Sequence, residues 1–191
     1  MTNQKSNIYS VKFFRGGRYI VIKLTRQKIE ESAKVVGAGK ITLAGLDLRY
    51  LEDMSEIVLP GTVFSEANVQ GLDFSEAQLK GANFESAKIR KATFEKAYLE
   101  NVRFYRADAQ SVNFEGANLN EAYFGSTDLR DSSFEGANLS NANLHHADLR
   151  GVNFEKANME GVTLTGARYN DATKWPDGLV PLLTGALLDN R

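Results

Sequence analysis

The sequence predicts an all-β solenoid, a chain wound into a narrow coil with four short sides. Three observations predict it. A bulky residue returns at every fifth position: within Val112–Leu144 these centres are Phe114, Leu119, Phe124, Leu129, Phe134, Leu139 and Leu144. The residue two before each of them is small: Val112, Ala117, Ala122, Thr127, Ser132, Ala137 and Ala142. Finally, Phe takes alternate centres from Phe64 to Phe134 and returns at Phe154.

Each observation has a physical reading. Helices repeat near 3.6 residues and strands near 2, so a period of five suits neither. A coil that turns a corner every five residues does bury all the centres together. The frame runs without insertion across Ile57–Asp171, with centres from Leu59 to Tyr169. Four sides use about twenty residues, and stacked coils would lie ~4.8 Å apart, with backbone groups paired from coil to coil. The interior is narrow, which explains why only Ala, Val, Thr, Ser or Leu72 stands two before a centre from Thr62 to Ala172. Asp or Asn often precedes the centre, as at Asp73, Asn83, Asn113 and Asp128, where the side chain can bond nearby backbone. Glycine just past a centre, as at Gly71, Gly81 and Gly116, suits a corner. The alternation of Phe predicts two stacked Phe columns on opposite sides. One centre is undersized: Ala109 interrupts the column Val69, Ile89, Leu129 and Leu149.

The units "GANLS", "ADLRG", "GANFE" and "VNFEK" resemble the A(D/N)LxX units of the pentapeptide-repeat family, over well more than half of the chain. The resemblance implies a right-handed quadrilateral β-helix without enzymatic activity. The tail "ATKWPDGLVPLLTGALL" resembles the ends of cyanobacterial members.

Three parts follow: an N-terminal hairpin-helix module over 1–40, the repeat coil over 41–171 and a C-terminal cap over 172–191. An open coil exposes its core and its edges, so both ends need covering. "NIYSVKFF" and "RYIVIKL" around "RGG" predict a β-hairpin with a glycine turn. "TRQKIEESAKVVG" predicts a helix with Thr25 as N-cap, Ile29, Ala33 and Val36 on one side, and Gly37 as its stop. Leu48 centres one unit out of frame with Leu59, which places a slip between Leu51 and Glu56. Trp175 is expected to cover the last coil and Pro176 to stop the pairing, with "LVPLLTGALLDN" as a short apolar helix or turn forming a lid or a dimer contact.

Composition excludes several classes. The net charge is −1, so no global field draws the chain to nucleic acid or membrane. There is no cysteine, hence no disulfide or thiolate metal site. No apolar run approaches the ~18 residues of a membrane span, no signal peptide is evident, and a cytoplasmic protein is expected. "VVGAGKIT" (Val35–Thr42) is not a phosphate loop, because Lys34 stands where the first glycine is needed and Ile41 follows Lys40. His145 and His146 point outward, with Gly125, Thr165, Ser126 and Gly166 as stacked neighbours, so no metal site is expected. No catalytic residue and no cofactor are assigned.

The surface reads as columns spaced by twenty residues. One gives Glu95, Glu115, Glu135 and Glu155; the side before it gives Arg90, Gln110, Arg130 and Arg150. These columns are expected to border one edge of the coil and to form a charged docking edge for an as yet unknown protein partner, their ion pairs being exposed and weak. The segment Ile57–Asp171 carries 11 basic and 16 acidic residues, whereas Met1–Glu56 carries 10 and 6. An interaction scaffold or adaptor is the leading function, as a monomer or as a homodimer through an end cap. A second reading, drawn from the resemblance, is a DNA mimic that binds gyrase; six coils span only roughly 29 Å, and the units lack the cysteines and large residues of gyrase-protecting members. A third is a small-molecule sensor using the N-terminal module.

Overall fold

The computed structural model describes residues 10–15, 18–37, 39, 41–51 and 53–190. Strands β1 (Ser10–Arg15) and β2 (Arg18–Lys23) pair antiparallel, Ser10 opposite Lys23 and Arg15 opposite Arg18. The glycine turn expected between them lies outside the described residues. Helix α1 (Arg26–Val36) starts at Thr25, whose hydroxyl accepts from the Lys28 N–H at 3.2 Å, and stops at Gly37 with φ 83°. Ile29 is buried and Ala33 half-buried against the first coil, but Val36 stays exposed. Arg26 ties the helix down by donating to the Ser55 carbonyl at 2.6 Å and pairing with Asp53 at 3.3 Å.

From Thr42 onward the chain coils. Parallel bridges recur at a spacing of twenty residues, as in Asn83–Arg103–Tyr123–Asn143, so four five-residue units complete one coil. The unit around Phe84 shows why this sequence folds so. The Phe84 N–H donates to Arg103 O on the next coil, the Ser86 N–H to Tyr105 O, and the Asn83 N–H back to Thr62 O. The Ala87 N–H closes the corner onto Phe84 O. The fifth donor, the Glu85 N–H, goes to the Asn83 side chain at 2.9 Å. Every N–H of the unit thus has an acceptor, which burial requires. The same side-chain bond recurs from Asp73, Asn113, Asn118, Asp128, Asn138, Asn143, Asp148, Asn153 and Asn158. The corner position two past each centre lies at φ near 60°, the left-handed region: Gly81 and Gly136 take it readily, Lys91 and Arg106 at a cost.

The centres fill the coil. The Phe centres form two stacks, Phe64–Phe84–Phe104–Phe124 at 4.5, 5.1 and 4.9 Å, and Phe74–Phe94–Phe114–Phe134–Phe154 at 5.0, 5.3, 4.8 and 5.2 Å. The stacks meet edge to face, as between Phe104 and Phe114 at 5.6 Å.

The expected slip near the first coil is present, and two expectations at the last coil are corrected. Thr42 and Asp47 bridge twenty-one residues ahead, to Val63 and Asn68, whereas Asp53 bridges twenty ahead, to Asp73. The extra residue therefore lies between Asp47 and Asp53; because the Leu51 N–H closes onto Leu48 O at 2.9 Å, as the corners of other units do, it falls past Leu51, within the expected Leu51–Glu56. Met54, fully buried, already occupies a centre in the later frame. A second extra residue lies between Arg168 and Lys174, which bridge to Asp148 and Asn153. It turns Ala172 out to solvent and puts Thr173 in the small inward place, with its hydroxyl donating to Leu149 O at 2.9 Å. Finally, pairing does not end at Pro176. Strand β4 (Leu187–Leu188) pairs parallel with β3 (Arg168–Tyr169) after the 3-10 turn Pro181–Thr184. Trp175, half-buried, stacks on Phe154 at 5.2 Å and so extends that column by one ring. Leu182, Leu183, Leu187 and Leu188 remain exposed instead of forming a lid.

Candidate functional site: the charged faces

The side whose centres run from Val69 through Ala109 to Tyr169 carries the Arg column. The residue after its four middle centres is Arg90, Gln110, Arg130 or Arg150, with Gln70 and Asn170 at the two ends, stacked by bonds such as Lys91 N to Gln110 O and Ser111 N to Arg130 O. Asp108, Asp128 and Asp148 precede three of these centres, Lys88 and Arg168 flanking them in the same column, and the two columns interlock. Arg90 pairs with Asp108 at 2.7 Å, Gln110 bonds Asp128 at 2.7 Å, and Arg130 grips Asp128 with two nitrogens at 2.9 and 2.8 Å. Asp148 is buried and accepts from Arg150 at 2.6 Å and from Arg168 at 2.8 Å; Arg168 also reaches Asp189, beside β4, at 3.5 Å. Burial works to raise the Asp128 carboxyl, but hydrogen bonds and charge from Arg130 outweigh it and hold that carboxyl below the ordinary aspartate range. The bond to Asp128 raises Arg130 in turn, and the bond to Asp148 raises Arg150. The Arg column is thus a cross-linked ladder with its own counter-ions, and Arg150 keeps only 20% of its side-chain surface exposed.

The Glu column lies on the next side, which has Phe94, Phe114, Phe134 and Phe154 as centres. Gly116 N bonds Glu135 O and Gly136 N bonds Glu155 O, which stacks these carboxylates coil upon coil. Their partners are lysines and a hydroxyl. Glu95 pairs with Lys96 at 2.9 Å, Glu135 with Lys156 at 2.5 Å and Glu155 with Lys174 at 3.1 Å, while Glu115 accepts from Ser133 at 2.9 Å. The bond and charge of Lys156 lower the Glu135 carboxyl. Glu95, Glu135 and Glu155 keep 42, 36 and 47% of their side chains exposed.

The two columns do not border one edge. Each Glu follows its centre, so the column Thr93, Asn113, Ser133 and Asn153 stands between them. The Asp column was the signal missed in the sequence. Asp128 and Asp148 were legible as turn-formers, but not as counter-ions to the Arg two residues on, and Asp108 was not legible as the partner of Arg90 on the coil before. His145 and His146 lie together, 5.5 Å between rings. Among the described residues no group of three or more His, Asp or Glu side chains is placed to hold a metal ion, and no helix is long and apolar enough to cross a membrane.

Comparison with known proteins agrees with this architecture. The family model Pentapeptide repeats matches in 8 copies, over stretches that run from residues 58–95 to residues 127–166. Because these stretches cover more than half of the chain, the protein belongs to the pentapeptide repeat family, whose coil is a β-helix. Three solved structures illustrate the likeness. HetL, a pentapeptide repeat protein involved in heterocyst differentiation regulation from the cyanobacterium Nostoc sp. strain PCC 7120, is 26% identical over 73% of this chain and 78% of its own, with a TM-score of 0.45. The Nostoc PCC 7120 pentapeptide repeat protein alr5209 is 30% identical over 61% of this chain and 84% of its own, with a TM-score of 0.34. QnrB1, a plasmid-mediated fluoroquinolone resistance protein, is 22% identical over 78% and 92%, with a TM-score of 0.36. The search of curated proteins gave no match.

Proposed function

We propose that this protein is a non-enzymatic scaffold whose rigid faces dock another protein, and that its coil is right-handed and four-sided as the family resemblance implies. The Glu column is the face that recruits a basic partner. One observation carries this reading. Arg90, Arg130 and Arg150 pair with Asp side chains that keep 34, 31 and 9% of their surface exposed, whereas Glu95, Glu135 and Glu155 pair with lysines that keep 65, 77 and 59%, and Glu115 accepts from the Ser133 hydroxyl, so the carboxylate file has the more replaceable partners. Four carboxylates stacked at ~4.8 Å backbone spacing repel one another; exposed lysines offset part of this, and a basic partner can take their place. The Arg–Asp ladder then serves to stiffen the neighbouring side.

The test is charge reversal on the Glu column. Glu115→Lys with Glu135→Lys should leave the melting temperature nearly unchanged, because exposed pairs contribute little. Partner recovery in a pull-down at matched salt should fall, because like charges across an interface are costly. Equal recovery by wild type and variant would remove the Glu column as a docking face. The file of carboxylates is also what favours the gyrase-binding alternative, and a gyrase supercoiling assay separates the two: inhibition by wild type, lost in the double variant, would establish the mimic. The sensor alternative draws on a recess of about 460 Å³ between α1 and the first coil, lined by Ala33, Lys34, Val58 and Pro60.

A further inference from the structure

The side opposite the Glu column has a different surface. Its centres are Phe64, Phe84, Phe104, Phe124 and Leu144, and its outward residues change character along the coil. Glu66 and Glu85 occupy its first part. From Arg103 to Gly166 its outward columns hold no carboxylate; they hold Arg103, Tyr105, Arg106, Tyr123, His145 and His146. These groups form one strip. The Arg106 guanidinium lies 4.9 Å from the Tyr105 ring centre, Tyr105 lies 5.7 Å from Tyr123, Tyr123 lies 5.4 Å from His145, and His145 lies 5.5 Å from His146.

Two glycines build the strip. Gly125 has no left-handed backbone to demand a glycine, yet an added Cβ would fall 2.2 Å from His145 Cε1. Ser65, Glu85, Tyr105 and Thr165 occupy the equivalent position on other coils, so the fold itself tolerates a side chain there. Gly166 likewise leaves room for His146, whose Nδ1 would lie 2.4 Å from an added Cβ. The His145 ring is fixed from its other side, with Nδ1 2.6 Å from Asn143 Oδ1. Beside the strip lies a recess of about 320 Å³ lined by Asn101, Arg103, Glu121 and Tyr123, Glu121 being the carboxylate at its margin.

We propose that this strip is a second docking face, and that its occupant is an extended acidic protein segment carrying an aromatic side chain. Tyr and Arg are the side chains that dominate binding hot spots, since they offer large rigid contact at small entropic cost. The excess of guanidinium over carboxylate along the strip selects an acidic partner on a coil that is acidic elsewhere. A single-stranded nucleic acid would also stack on such rings, but two arginines beside Glu121 are a poor backbone groove, and Ile57–Asp171 carries five more acids than bases. The inference does not rest on the Glu column, which lies on the opposite side.

The experiment titrates full-length protein with two fluorescein-labelled heptapeptides, one of six glutamates around a central tryptophan and one of six lysines around the same tryptophan. Binding is read by anisotropy and mapped by amide NMR shifts. The acidic peptide should bind at least tenfold more tightly than the basic one when the attraction of the basic peptide to the Glu column is reduced, without creating a cationic face there, by Glu115→Gln and Glu135→Gln. Its shifts should centre on Arg103, Arg106, Gly125 and His146. Arg103→Asp with Arg106→Glu should weaken it at least tenfold; Asp already occupies the Arg103-type place at Asp73 and Asp108, and Glu the Arg106-type corner at Glu66 and Glu121. Gly125→Ala should weaken it several-fold by displacing His145. Equal binding of both peptides, shifts on another side, an unaffected arginine double variant, or tighter binding of an oligo-dT strand would each overturn the proposal. Because the Glu-column variant is the background of the test, failure here leaves the Glu-column reading standing, and the reverse holds too.

Discussion

The middle of the coil and its two ends use the same five-residue unit but keep different registers. Between Asp53 and Arg168 every bridge spans twenty residues, whereas Thr42 and Asp47 at one end and Asn153 to Lys174 at the other span twenty-one. Inside, each unit is held by identical units above and below. At an end one neighbour is missing, so the chain can admit a residue without misaligning a second coil. Non-repeat material adjoins each end: α1 packs Ile29 against the first coil, and at the last Trp175 stacks on Phe154 while β4 pairs with β3. Stability in such a stack is close to a sum of units and their interfaces, and so the middle and the ends should respond differently to the same kind of damage.

The sharpest contrast is between a ring in the middle and the last ring of a stack. Phe104 is fully buried and contacts Phe84, Phe94, Phe114 and Phe124. Phe104→Ala should cost about 3–5 kcal/mol. Trp175 has a stacked neighbour on one side, Phe154, and an edge contact with Tyr169 at 5.5 Å. Trp175→Ala should cost about 2–3 kcal/mol, and hydrogen exchange should show faster opening confined to the last coil. Global loss of protection in Trp175→Ala would break the contrast and make the end as cooperative as the middle.

A smaller effect is expected at Ala109, fully buried where the neighbouring coils carry Ile89 and Leu129. Next to it the Ser132 hydroxyl donates to Ala109 O at 2.8 Å and accepts from Val112 N–H at 3.1 Å. Native interiors rarely keep voids, so we expect the site to be filled by adjustment of its surroundings. Ala109→Leu should then destabilise by about 1–2 kcal/mol through overpacking. A rise in melting temperature would show that a cavity had persisted in the middle of the column.

The middle was legible in the sequence because one physical demand, a narrow interior between corners, repeats at every unit and leaves the same trace each time. The centres, the small inward residues, the Asn and Asp turn-formers and the corner glycines all carry it. The ends were less legible because an insertion leaves no such trace. Met54 sits in frame with Leu59 and Leu48 does not, yet nothing local to 48–54 says which residue turns out. Ala172 has the right size for the inward place and loses it to Thr173, since the added residue rotates both. The Arg–Asp ladder needed the twenty-residue stacking and the two-residue reach of Arg130 to Asp128 together. The place Gly125 leaves for the His145 ring depends on side-chain direction, which spacing alone does not supply.

The smallest expected effect compares ion pairs rather than rings. Asp128 in the middle and Asp53 at the first coil both have lowered carboxyl values, Asp128 through Arg130 against the opposing effect of burial, and Asp53 chiefly through its bonds to Ser55. The sign follows from the direction. An aspartate lowered on folding adds stability above its unfolded value near 3.8, and that stability disappears as pH falls through the folded value. Asn is the clean replacement, because Asn118 and Asn138 already make the same turn bond that Asp128 makes to the Arg130 N–H. Asp128→Asn therefore removes the charge and keeps the turn. At pH 7 it should cost about 1 kcal/mol or less, since Arg130 is partly exposed, and as pH falls below the unfolded value of 3.8, to pH 3, the gap to wild type should narrow. Asp53→Asn, at the exposed first coil, should give the smaller gap at pH 7. Urea titrations of both variants at the two pH values measure this. A gap for Asp128→Asn that stays the same at pH 7 and pH 3 would mean that the ladder acts through shape and hydrogen bonding alone, and the distinction drawn between the middle and the end would then not extend to charge.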